Sequence, residues 1–440
     1  MTAGVDAPIL RYFGPQKAMD APSERALLDR TTSTAPGVRD ATARILADVR
    51  ARGDRALCDY AERFDGVILD RLEVPRSAWT AALDALEPSL RRAMERTIRN
   101  VAAVHRAFLP ATAELAPEPG IVVGRRPDPL ARVGVYAPGG RAAYPSSVLM
   151  GAVPARVAGV RDVVLASPPG LDGRPASVVL AAAALAEVDR VFAVGGAGAI
   201  GALAFGTESI PRVDRIVGPG NAYVAEAKLQ VSGFVGIDSP AGPSELLVIA
   251  DADASADVVA REMIAQAEHD PRACVVAVVQ GESLARRLRE ALQRLLPGQE
   301  RREIIEAALS GQGAILWVDD LADAVCWSHA YAPEHLLLCV ADERRVLDEV
   351  RNAGTVFVGQ TASVSFGDYM TGANHVLPTG GLARAYSGLS ILDYFRWTTY
   401  QRVDAAAAAR LADDVAAFAT SERLFGHANA ARAWNGGRAL

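Results

Sequence analysis

Cysteine is scarce in this chain. Four occur in 440 residues, Cys58, Cys274, Cys326 and Cys339, and no two of them form a CxxC pair. That argues against a thiolate-ligated zinc site and against a disulfide framework. Cys274 and Cys339 lie inside the apolar runs "ACVVAVV" and "HLLLCV" and read as buried strand residues. Lysine is scarcer still: Lys17 and Lys228 stand against 44 arginines, a bias that reads as genome composition. The net charge is −6 with no long basic run, which argues against a nucleic-acid surface. No apolar run approaches the length of a membrane span. The opening "MTAGVDAPILRYFG" lacks the basic start and apolar core of a signal peptide, so a cytoplasmic protein is expected. HExxH, GxSxG and Walker A motifs are missing, and Tyr223 to Lys228 is one residue too long for Tyr-x-x-x-Lys.

What remains is a chain half hydrophobic and 22% charged, long enough for two or three domains. Residues 37–109 carry apolar residues at helical spacing. After "PEPG" short Val/Ile-rich runs alternate with helical ones, first "VGVYA", "DVVLASP", "RVFAVGG" and "DRIVGPG", then "ELLVIAD", "ACVVAVV", "AILWVDD", "HLLLCV" and "TVFVG". This order predicts α/β architecture: two Rossmann-like parallel-sheet units behind a helical N-terminal segment. Residues 361–393 turn Gly- and Ser-rich with little periodicity, as functional loops do. Two short helices close the chain as a small helical tail.

Gly196, Gly198 and Gly201 form a GxGxxG after a strand and at the start of a helix, the context for a pyrophosphate. The confirming acid is not clean, since Asp214 precedes its strand, and close packing alone also selects small residues. The six histidines separate more sharply. His105 sits in a periodic helix and reads as structural, and His329 is ambiguous beside Cys326. His269 follows Gln266 by three residues, on one face of a helix ended by Pro271. His335 follows Glu334 at the mouth of an apolar strand, where two ionisable groups cost stability unless used or paired. His375 trails Asp368 by seven residues, and His427 trails Glu422 by five, with Gly426 marking a break between elements. Each alone is more often structural. Together Gln266, His269, Asp368 and His427 make an N₂O₂ donor set suited to Zn²⁺, which Mn²⁺ or Co²⁺ could replace.

With these residues in view, the chain resembles the histidinol dehydrogenases. The matching stretches, in family order, include "VGVYAPGG", "AYPSSVLM", "ALAFGTESIPRVDRIVGPGNAYVAEAK", "AGPSELLVIAD", "QAEHDP", "APEHL", "SFGDY", "NHVLPTGG" and "SGLS". The resemblance implies zinc ligands at Gln266, His269, Asp368 and His427, and a catalytic pair at Glu334 and His335. It implies substrate contacts at Ser244, His375 and Glu422 besides the ligands and His335, and cofactor contacts at Tyr136 and Asn221, with Gly198 at a further cofactor position. It implies two successive oxidations of L-histidinol by NAD, and a homodimer whose tails bring Glu422 and His427 to the neighbouring site. The expected organisation is a segment 1–30, a first α/β domain from 31–135 with 246–385 carrying the metal and catalytic residues, a nucleotide-side domain 136–245, and a dimerisation tail 386–440.

This chain departs from the family pattern in places. The family usually has Gln at Gly198 and Ala at Gly201, so the GxGxxG reads as an accident of two substitutions. Its tail usually reads Glu-Gly-Leu where this chain has Glu422-Arg423-Leu424, and it has Met at Ser239. The stretch "ILDYFRWTTYQ" is unusually aromatic. These changes leave room for a related dehydrogenase of another polar alcohol, such as a sulfonated diol. A zinc hydrolase using Glu334 and a bound water, or an inactive binding module, are further alternatives.

Overall fold

The computed structural model describes residues 9–30, 36–139 and 143–435. The first eight residues of the expected N-terminal segment, and Gly140 of "VGVYAPGG", lie outside the described residues. The strands are β1 (Tyr12–Pro15), β2 (Ala113–Leu115), β3 (Ile121–Pro129), β4 (Arg132–Tyr136), β5 (Asp162–Ser167), β6 (Arg190–Ala193) and β7 (Arg215–Val217). They continue as β8 (Gly236–Ile237), β9 (Glu245–Ala250), β10 (Cys274–Gln280), β11 (Gly313–Val318), β12 (His335–Cys339), β13 (Thr355–Val358) and β14 (Phe395–Val403).

The chain forms two compact units, Met1–Ala107 with Ala131–Tyr394, and Phe108–Leu130 with Phe395–Leu440. The first unit holds both parallel sheets, as the alternating pattern predicts. One runs β1-β11-β10-β9-β12-β13 and the other β6-β5-β4-β7-β8, every pair parallel. The strands read as continuous apolar runs because both faces of each sheet are covered. In the larger sheet Leu246, Val248 and Ala250 of β9 pack on one side with Val259, Met263 and Leu288 from the flanking helices. Leu247 and Ile249 pack on the other with Ala324, Val325 and Tyr331. The period of two splits one strand between two cores.

The second unit pairs β14-β3-β2 antiparallel and adds helices Ala405–Ser421 and Phe425–Arg432. The tail is therefore not only helical. β14 escapes a pattern reading because most of its residues are exposed or half-buried, leaving no apolar alternation to see. The break expected at Gly426 also moves. Gly426 lies inside the last helix, and the turn falls at Glu422–Leu424.

No described helix is long and apolar enough to cross a membrane.

Candidate active site

The expected catalytic residues collect at the amino-terminal edge of the larger sheet. Glu245 opens β9, and Ser244 just before it accepts the Cys274 N–H through its carbonyl at 3.0 Å. Glu334 immediately precedes β12, and His335 opens it, in register with Leu246 of β9. All three ionisable side chains are buried: Glu245 is 1% exposed, His335 3% and Glu334 5%. Buried charge at a strand mouth must be partnered or used, and here it is tied into a short network. The Glu245 N–H donates to Glu334 Oε2 at 2.7 Å, and the Glu334 N–H donates back to Glu245 Oε2 at 3.3 Å. Gly380 N–H donates to Glu245 Oε1 at 2.7 Å, and Arg30 is ion-paired with Glu245 while its guanidinium lies 3.4 Å over the Tyr331 ring.

This network sets the tautomer of His335. Nδ1–H donates to the Glu245 carbonyl at 2.9 Å, so the proton sits on Nδ1 and Nε2 carries the free lone pair. Nε2 is buried without a hydrogen-bond partner and lies 3.8 Å from Asp368 Oδ1. Burial, with smaller contributions from His269 and His375, drives the imidazole down to about 3. A neutral ring with a bare, aimed nitrogen is a proton acceptor. Burial pushes Glu334 well above the usual carboxylate range, and the charges of Glu245 and Asp368 add to that. His375 is arranged like His335: Nδ1 donates to the Asp368 carbonyl at 2.9 Å, and burial lowers it to about 4.

The expected metal face adjoins this pair. Helix Ala256–Ala267, capped by Ser255, carries Gln266 in its last turn. The helix stops before His269, so the two do not share one helical face as their spacing suggests. Asp270 precedes Pro271 and accepts the Arg272 N–H at 2.9 Å, which turns the chain out of the helix. The side chains still meet, with Gln266 Nε2 3.3 Å from His269 Nδ1. Asp368 lies not in a loop but in the short helix Val364–Tyr369. Among the described residues no group of three or more His, Cys, Asp and Glu is placed to hold a metal ion; the first unit offers Gln266, His269 and Asp368, one of them an amide. Their condition fits a cation. Gln266 Oε1 is buried without a partner. Burial, then the charge of Glu262, raises Asp368 to about 7. Burial lowers His269, which keeps it neutral enough to ligate.

The expected nucleotide residues lie on the smaller sheet. Its order places β4 centrally, with the chain running outward through β5 and β6 and then returning to β7 and β8 on the other side. Parallel sheets open their ligand crevice at such a reversal, outside the carboxyl ends of the strands. Tyr136 ends β4, and its hydroxyl accepts the Gly196 N–H at 3.1 Å, with burial pushing it up to about 12. Asn221 follows β7 and caps helix Ala222–Val231, its Oδ1 accepting from Tyr223 N–H at 3.0 Å and Val224 N–H at 3.2 Å. Gly198 is buried in the first turn of helix Gly196–Phe205. A Cβ there would meet Leu57 Cδ2 at 3.2 Å, and one at Gly201 would meet Leu46 Cδ2 at 3.1 Å. These glycines let helix Gly196–Phe205 pack closely on its neighbours, which is what the GxGxxG pattern records here. Asp214 is structural too, accepting the N–H groups of Ala131 and Arg132.

Glu422 and His427 belong to the second unit, where both are exposed.

Three comparisons bear on this geometry. The family model described as histidinol dehydrogenase matches residues 28–434. The chain belongs to the histidinol dehydrogenase family. It is 45% identical to the histidinol dehydrogenase of Methanosarcina mazei, over 90% of this chain and 92% of that protein. It is 47% identical to that of Methanopyrus kandleri, over 89% and 92%. The crystal structure of histidinol dehydrogenase from Elizabethkingia anophelis superposes with a TM-score of 0.92 at 32% identity, covering 98% of this chain and 99% of that one. Membership makes the protein an oxidoreductase of histidine biosynthesis. Within a histidinol dehydrogenase fold, Glu245 and Arg30 are the site residues that motif reading misses. A glutamate heading the buried run "ELLVIA" carries the same signal as Glu334 heading "HLLLC".

Proposed function

We propose that this chain oxidises L-histidinol to L-histidine in two successive NAD-dependent steps, with L-histidinal held between them. The observation that carries the reading is His335: a neutral imidazole with Nδ1–H fixed on the Glu245 carbonyl and Nε2 bare beside Asp368. His335 takes the alcohol proton as hydride leaves the substrate carbon for NAD⁺. His335 passes that proton to solvent, the buried Glu334 accepts a proton from the water that adds to the aldehyde, and the again neutral His335 takes the hydrate's hydroxyl proton as the second hydride leaves for a second NAD⁺. The enclosure that keeps Glu334 and His335 dry also retains the reactive aldehyde.

Gln266, His269 and Asp368 would hold a zinc ion, with His427 as fourth ligand. Bound there, zinc supplies a fixed anchor and Lewis-acid polarisation for the substrate's nitrogen and oxygen donors. Ser244, His375 and Glu422 would contact the rest of the substrate, and Tyr136 and Asn221 the nucleotide. Glu422 and His427 would act across a homodimer, each tail completing the neighbouring site. The setting is cytoplasmic.

The decisive experiment gives the purified chain L-histidinol and NAD⁺. Two NADH per L-histidine are expected, and absence of turnover on L-histidinol would sink the reading.

A further inference from the structure

We infer that Lys228 and Asp238 are positioning residues that hold the Gly218–Asn221 loop in its nucleotide-accepting form. This deepens the proposal that NAD lies at the carboxyl edge of the smaller sheet, and rests on it.

The two side chains form an ion pair beneath that loop, 2% and 5% exposed. They take hold of both main-chain groups of one residue. Lys228 Nζ donates to the Gly218 carbonyl at 3.1 Å, and the Gly218 N–H donates to Asp238 Oδ2 at 2.7 Å. Gly218 needs that restraint, because it adopts φ +117° and runs against β4: a Cβ there would sit 2.1 Å from the Tyr136 carbonyl oxygen. The peptide so clamped leads directly to Asn221, whose side chain caps helix Ala222–Val231. Tyr136 and Asn221 thus face the sheet's reversal at a spacing set by the buried pair.

Composition sharpens the inference. The chain writes 44 of its 46 cations as arginine, yet keeps lysine here. A compact ammonium can serve a carboxylate and a carbonyl in a closed space where a planar guanidinium fork does not fit. Stability alone does not require the pair, since well-packed apolar residues commonly replace a buried ion pair without loss. What they would not reproduce is the grip on the Gly218 peptide.

The test compares Lys228→Met/Asp238→Leu with Asn221→Ala and Tyr136→Phe in the full-length enzyme, measuring NAD⁺ binding by calorimetry and steady-state constants for both substrates. For the double variant the expected result is a rise on the order of tenfold in the NAD⁺ Kd and KM, with kcat and the KM for L-histidinol within about twofold of the parent. A parallel fall in kcat and in binding of both substrates would mean a general structural role and overturn the proposal. So would unchanged NAD⁺ affinity in the double variant while Asn221→Ala weakens it, leaving the nucleotide edge intact. If neither Asn221→Ala nor Tyr136→Phe alters NAD⁺ affinity, the location of the nucleotide is wrong and the inference falls with it. Should the double variant fail to fold, the isosteric Asp238→Asn decides by the same KM-against-kcat split.

Discussion

At His335 a main-chain carbonyl orients the ring, the part that a carboxylate plays in many His–carboxylate pairs. The Glu245 C=O fixes the ring and its tautomer without adding charge, so burial remains free to hold the base neutral. His335→Asn keeps a donor for that carbonyl and removes the base. Its kcat should fall about 10²–10⁴-fold while zinc content stays at the parent level; a near-normal kcat would remove His335 from the chemistry. His269→Ala should instead lower bound zinc, read by metal analysis after dialysis, and unchanged metal content would contradict its place in the ligand set. Arg30 neutralises Glu245, so Arg30→Met strands a buried carboxylate. A loss of about 3–5 kcal/mol in denaturant unfolding is expected, and an unaltered midpoint would show that Glu245 is neutral in the fold. The histidines and Glu334 stood out in the sequence because ionisable residues beside apolar runs are conspicuous. Arg30 could not, being one of 44 arginines whose burial depends on a strand 215 positions away.

Among the elements, the parallel sheets were legible because their strands are buried on both faces and separated by helices of ordinary length. The antiparallel sheet was not, since β14 and β3 are half-buried or exposed along nearly their whole length and pair residues about 270 positions apart. Helix ends were also obscure: the spacing of Gln266 and His269 implied a helix running through both, whereas the chain leaves it at Ala267. The turn after helix Ala405–Ser421 is a clearer case. Leu424 N–H returns to the Ala419 carbonyl at 2.8 Å and Arg423 N–H to the Thr420 carbonyl at 3.0 Å, with Arg423 at φ +61°. That is the left-handed helix stop that glycine prefers, and the family usually has glycine there. Arg423→Gly should therefore stabilise this hairpin by about 1 kcal/mol. Thermal unfolding would register it, and a lowered melting temperature would mean that the arginine side chain gains more elsewhere.

For the molecule as a whole, acid is the expected weakness. His105, in helix Pro88–Ala107 and apart from the site, is lowered to about 4 by burial from an ordinary 6.5. The unfolded chain takes up that proton first. Stability from keeping the ring neutral is complete above pH 6.5 and is lost as pH falls toward 4, by up to about 3 kcal/mol. His105→Leu should flatten the pH dependence of urea unfolding across that window, and an identical slope would rule the residue out. Subunit arrangement has its own test. If Glu422 and His427 act across a dimer, mixing His335→Asn chains with His427→Ala chains should restore activity that neither has alone.

The burial of Lys228 has a practical corollary. Lys17 is well exposed, its side chain at 65%, whereas Lys228 is shut beneath its loop. A lysine-specific protease therefore has one open target among the two lysines of the native fold. Cutting at Lys228 would require the smaller sheet to open, so the rate of that single cleavage would be a clock for its native-state unfolding.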